Sequence, residues 1–141
     1  MLIKNLNPYI LLNGGAEKAI RLYEAALGAK VEALMRYGDG PPCDPSLAID
    51  RNLVMHACLT IGSRTLMISD AMPGQPAKIG NQVSITADFA DPKDMGNAFE
   101  ALSVGGTVTM PIQDTFWGAK FGTLTDAFGV NWMFNCTLPK E

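Results

Sequence analysis

Hydrophobic and polar positions alternate, shift to a helical period and then alternate again, and this order occurs twice along the chain. Residues 7–12 (NPYILL) form a short apolar run that predicts a strand, broken by Asn13-Gly14-Gly15. Over residues 16–27, Ala16, Ile20, Tyr23 and Leu27 recur on one helical face. Glu17 and Arg21 stand four apart on the solvent side, and Gly28 sits where a C′ glycine ends a helix. Period two returns over residues 30–37 and predicts a strand. Residues 38–52 carry Gly38, Gly40, Pro41, Pro42 and Pro45 and predict a long loop. Residues 53–61 and 64–69 predict a hairpin turned by Gly62-Ser63, and residues 70–81, with Pro73, Gly74, Pro76 and Gly80, predict a linker.

After the linker the order repeats. Residues 82–89 alternate as a strand, Asp91 caps a helix with Pro92 at its first position, and Met95, Phe99 and Leu102 lie at helical spacing before Gly105-Gly106. Strands follow over 107–112, 120–125 and 130–136, with an aromatic, glycine-bearing loop (Phe116, Trp117, Gly118) and a tight turn at 126–129 between them. Each half is therefore strand, helix and three strands. One βαβββ unit covers one sheet face with its helix and leaves the other open. Two side by side predict an α+β fold whose curved mixed sheet carries helices on the convex face and a cleft on the concave face. We expect a single domain, 1–141, made of module 1–72 and module 80–141.

Composition narrows the function classes. A chain of 141 residues can bury a core without metal or disulfide staples. The net charge of −3, with signs mixed along the chain, lacks the basic footprint of a nucleic-acid binder, so no nucleic-acid partner is expected. No apolar run approaches a membrane span or a secretory leader, so neither membrane insertion nor export is expected. Cys43, Cys58 and Cys136 are odd in number and lack C-x-x-C spacing, which fits a reduced, cytoplasmic protein. Eight methionines read either as core filling or as an adaptable apolar cavity.

Three stretches carry a family resemblance: NPYILLNGGAEKAIRLYEAALGAKVEALMRYGD, VMHACLTIGSRTLMISDA and GGTVTMPIQDTFWGAKFGTLTDAFGVNWMFNC. The chain resembles the vicinal oxygen chelate superfamily of glyoxalase I, bleomycin-resistance proteins and extradiol dioxygenases. Within it, the chain resembles the PhnB-type branch, also labelled 3-demethylubiquinone-9 3-methyltransferase-like. The resemblance covers nearly the whole chain and implies paired βαβββ modules, a small-molecule cleft and a homodimer.

The superfamily's divalent metal is held by His and Glu from the first and last strand of each module. Those positions align with Pro8, Met67, Gln82 and Met133, none a good ligand for a hard or borderline cation, so no metal and no cofactor are expected. The methyltransferase label finds no support in the residues. There is no G-x-G-x-x-G, and two helices cannot build a doubly wound sheet.

Strand parity then sorts the side chains. Met55, Ala57, Leu59 and Ile61 predict a helix-facing row, leaving His56, Cys58 and Thr60 toward the cleft with Thr65, Met67 and Ser69. In the second module Gln82, Ser84, Thr86, Met133 and Asn135 are expected in the cleft, and Trp132 in the core. His56, the only histidine, is read as an acid/base, as a ligand-orienting group or as a structural hydrogen bond. Residues two apart on a strand are about 7 Å apart, too far for direct His56–Cys58 pairing. Cys58 reads as a small hydrophobe or a thiol facing ligand. Trp117 reads as a ligand contact or a hairpin contact, and Arg36, Glu32, Asp126 and Lys120 as charge at the cleft rim or, in preference, solvated surface.

The expected function is small-molecule binding without the usual metal site, with His56 as catalytic candidate and Cys58, Met67, Gln82, Ser84, Trp117, Met133 and Asn135 as binding candidates. A non-catalytic sequestering protein, or a metal-dependent lyase, isomerase or dioxygenase, are the alternatives.

Overall fold

The computed structural model describes residues 2–40, 49–72 and 74–139. The chain divides into two compact units, residues 1–78 and 79–141. In the first, β1 (Tyr9–Leu12), α1 (Ala16–Leu27), β2 (Lys30–Arg36), β3 (Val54–Ile61) and β4 (Arg64–Asp70) form a sheet of order β1-β4-β3-β2. In the second, β5 (Ile85–Asp88), α2 (Pro92–Ser103), β6 (Thr107–Asp114), β7 (Ala119–Thr125) and β8 (Asn131–Thr137) form a sheet of order β5-β8-β7-β6. The two units share one topology. In each, the first strand pairs parallel with the last and the remaining ladders are antiparallel. The fold is α+β, two βαβββ modules, as the element order predicts.

Each helix buries its apolar stripe against its own sheet. Ala16, Ala19, Ile20 and Tyr23 of α1 are inaccessible, as are Ala57, Leu59 and Ile68 of β3 and β4. In the second unit Met95, Phe99 and Leu102 of α2 are buried with Leu124, Trp132, Phe134 and Cys136. Phe134 meets the ring of Phe89 at 5.1 Å and that of Phe99 edge-on at 5.3 Å. Burial of each such side chain contributes about 1.5–3 kcal/mol, so α2 and β8 hold one another. Helix α1 ends at Gly28, whose φ of 67° is the left-handed conformation that glycine adopts freely. The N–H of Ala29 closes the end on Tyr23 O at 3.2 Å.

Several boundaries differ from the sequence expectation. β5 begins at Ile85, not at residue 82, because residues 82–84 have no ladder partner. The Asn131 amide instead donates to Gly80 O (2.7 Å) and Val83 O (3.4 Å). β2 stops at Arg36, and Tyr37–Asp39 forms a short 3₁₀ turn tied by Tyr37 N–H to Leu53 O and Gly38 N–H to Arg51 O. The expected loop over 38–52 falls partly, and Cys43 wholly, outside the described residues. Met55 leaves the buried row: a register shift between Met35 and Arg36 puts Val54 inside in its place.

Candidate functional site

With α1 on one face of the first sheet, the other face is where the polar residues of β1, β3 and β4 collect. The parallel ladder sets Tyr9 opposite Met67 and Leu11 opposite Ser69, and the antiparallel ladder sets Cys58 opposite Met67. Tyr9, Met67 and Cys58 therefore lie in one row across three strands. His56 projects from the same face of β3 as Cys58, two residues away. The Tyr9 hydroxyl donates to Ser69 Oγ at 2.9 Å and lies 3.5 Å from His56 Nδ1, with the two rings 5.8 Å apart and tilted by 33°. Ser69 is buried, Tyr9 is half exposed, and His56, Cys58 and Met67 are partly exposed. Among the described residues the polar neighbour of His56 is the Tyr9 phenol and not the Cys58 thiol. A hydroxyl–imidazole cluster beside a thioether and a thiol can hydrogen-bond a polar group while packing an apolar one.

Sequence reasoning missed Tyr9. It aligned Pro8 with the ligand position paired to Met67, but the parallel register makes Tyr9 the residue opposite Met67, while Pro8 offers its carbonyl to Met67 N–H at 3.1 Å. In the second sheet the displacement is four residues and keeps parity: Thr86, not Gln82, stands opposite Met133. Gln82 and Ser84 precede β5, with Gln82 exposed and Ser84 partly so. Parity along β8 holds: Trp132, Phe134 and Cys136 are buried, while Met133 and Asn135 point the other way. Asn135 donates to Asp88 Oδ1 at 3.1 Å. Trp117 is exposed at the β6–β7 connection, stacked edge-on between Phe116 and Phe121 at 5.0 and 6.0 Å. That gives it the hairpin contact and leaves much of its ring open.

Of the charged residues expected at the rim or as solvated surface, Glu32 is exposed, Arg36 and Lys120 are partly exposed, and Asp126 departs from that role. Asp126 is buried: Oδ1 accepts the N–H groups of Phe128 and Val130, and Oδ2 accepts Trp132 Nε1–H at 2.9 Å. The carboxylate satisfies the turn backbone and the buried indole together, which a solvated residue could not do. Arg36 makes two bonds to Glu17, at 2.8 and 3.0 Å, and a third to Asn52 O. Hydrogen bonds from Arg36 and its charge hold the Glu17 carboxyl below its ordinary range, and the hydrogen bonds to Glu17 hold the Arg36 guanidinium above its own. Glu32 accepts from Thr60 Oγ1, and Lys120 pairs with Asp114 at 3.0 Å.

The resemblance implies metal ligands at the paired positions of the first and last strand of each module. Those positions carry a phenol, two thioethers and a hydroxyl, from Tyr9, Met67, Met133 and Thr86. Among the described residues no three His, Cys, Asp or Glu side chains gather as a metal-binding group. These donors do not fit a hard or borderline divalent cation.

The fold and sequence are shared with known proteins. The chain is 30% identical over 138 residues to Protein YjdN of Escherichia coli (strain K12), covering 92% of this chain and 93% of that one. The crystal structure of protein PA1353 from Pseudomonas aeruginosa superposes with a TM-score of 0.86 at 36% identity, covering 97% of this chain and all of the other. A PhnB protein from Bacillus cereus, which carries a 3-demethylubiquinone-9 3-methyltransferase label, shares the fold with a TM-score of 0.80 at 21% identity, over 95% of this chain and all of its own. Together with a family model that matches residues 5–134, these likenesses show that the chain belongs to the Glyoxalase/Bleomycin resistance protein/Dioxygenase superfamily.

Proposed function

We propose that this protein binds a small, partly polar organic molecule on the face of the first sheet that carries Tyr9, His56, Cys58, Met67 and Ser69, without the divalent metal usual in its superfamily. The observation that carries this reading is the hydrogen-bonded Tyr9–Ser69 pair with His56 beside it, set where the sheet has no helix of its own unit. Where turnover occurs, His56 is the acid/base group, because its imidazole can both accept and donate a proton. Met133 and Asn135 mark the corresponding face of the second sheet, and Gln82, Ser84 and Trp117 are further binding candidates.

A second reading, sequestration without turnover, is favoured by the apolar surface left open: Trp117 is 55% exposed and Met133 36%. Such side chains grip a flat or apolar ligand without chemistry.

The test is a thermal-shift screen of small polar organic compounds, with Zn²⁺, Ni²⁺, Mn²⁺ and Fe²⁺ added separately. A ligand at about a hundred times its Kd stabilises the fold by about 2.7 kcal/mol. We expect organic hits that stabilise the parent protein and lose that effect in His56→Ala, with no metal giving a comparable shift. Hits that stabilise His56→Ala equally would overturn the site, and a stoichiometric, stabilising metal would overturn the metal-free reading. Product formation from a hit separates catalysis from sequestration. The protein is also proposed to be a cytoplasmic homodimer.

A further inference from the structure

The Tyr9 phenol stands between two partners but has one hydrogen to give. Its hydroxyl is directed at Ser69 Oγ, 2.9 Å away, and Ser69 is only 3% exposed, so solvent cannot readily replace that bond. The same phenol oxygen is 3.5 Å from His56 Nδ1. With its hydrogen committed to Ser69, Tyr9 can offer His56 only a lone pair. The neutral imidazole that matches a lone pair carries its proton on Nδ1 and leaves Nε2 bare. A separation of 3.5 Å is long for a hydrogen bond, as such contacts often are before a ligand closes the site.

We infer that Tyr9, backed by Ser69, is a positioning residue that holds His56 in the Nδ1–H form, so that Nε2 is the acceptor a ligand meets and the preferred ligand presents a hydroxyl or N–H donor there. The ligand preference rests on the proposed binding face. The tautomer does not, because it is a property of the ligand-free protein. If Nε2 accepts a proton in a reaction, that proton comes from the donor group of the ligand, and the resulting imidazolium keeps its Nδ1–H toward Tyr9. The arrangement asks nothing of Cys58.

His56 is the only histidine, so long-range ¹H–¹⁵N correlation spectra of the uniformly labelled full chain report one imidazole without assignment. At a pH where that ring is neutral, we expect a pyrrole-like Nδ1 and a pyridine-like Nε2. Tyr9→Phe keeps the ring but removes the acceptor, and is expected to move the majority form to Nε2–H, the form that free histidine favours in water. Ser69→Ala releases the Tyr9 hydrogen to turn toward Nδ1, and is expected to move it the same way. The backbone amide spectrum shows whether each variant is folded. A parent protein already in the Nε2–H form, or a folded variant of either kind with an unchanged tautomer, overturns the assignment. Phenol and anisole then test the ligand preference. Phenol should shift the Nε2 resonance and anisole should not, whereas an equal response, or none to phenol, overturns the donor preference while leaving the tautomer result standing.

Discussion

At the scale of single residues, polar side chains do structural work that their local sequence does not announce. Helix α1 begins at Ala16 after Gly15, which has no side chain to cap it, and the missing acceptor comes from Asp70 at the end of β4. Its Oδ1 accepts Ala16 N–H and its Oδ2 accepts Val54 N–H, both at 2.9 Å, so one buried carboxylate joins α1, β3 and β4. The positive end of the helix favours a carboxylate there. Asp70→Ala would leave two buried donors unpaired. We expect a loss of about 2–4 kcal/mol in urea unfolding, and a loss under about 0.5 kcal/mol would contradict this role. The Glu17–Arg36 pair titrates in a definite direction. The folded-state pKa of Glu17 is lowered, chiefly by its hydrogen bonds to Arg36, so its contribution is complete above the ordinary glutamate range and is lost as pH falls through the folded value. The stability gap between the parent protein and Glu17→Gln should therefore shrink on acidification, and should narrow with added salt because both side chains are partly exposed. A gap that grows toward acid pH would contradict the sign.

At the scale of elements, much was legible because local chemistry and tertiary packing agree. The apolar stripe and Gly28 mark α1, and Asp91, accepting Lys93 N–H at 3.0 Å with Pro92 behind it, marks the start of α2. β1, β5 and their registers were less legible. Parallel pairing joins residues far apart in sequence, and nothing local tells whether Pro8 or Tyr9 faces Met67. The bulge that turns Met55 outward is likewise set by the pairing of β2 with β3. The connection after α2 shows how tightly such joints are packed. A Cβ on Gly106 would overlap the carbonyl oxygen of Thr125 and lie 2.8 Å from the carbonyl carbon of Asp126, both backbone atoms that cannot swing aside. Gly106→Ala should cost about 2 kcal/mol, read by thermal or urea unfolding, whereas Gly96→Ala, with open space around its Cβ on α2, should be neutral or stabilising. Equal effects at the two glycines would contradict the packing argument.

At the scale of the whole molecule, the repeated βαβββ order is what the pattern of polar and apolar residues conveyed best. The proposed homodimer is tested by sedimentation at micromolar concentration, where a species of twice the chain mass is expected and a single species of the chain mass would contradict it. The sequence by itself determined the number of strands and α-helices, their repeat and much of each core, because 3.6- and 2-residue periods are written in neighbouring positions. It also placed His56, Cys58, Met67, Met133 and Asn135 on the sheet faces away from the helices, since parity follows from a strand's own alternation. Only the tertiary structure decided that Tyr9 joins His56 and Ser69, that Thr86 stands where Gln82 was expected, and that Asp70 and Asp126 are buried acceptors. Those are choices of register and of partners tens of residues away, and a hydrogen bond across 47 or 60 residues leaves no periodicity to read.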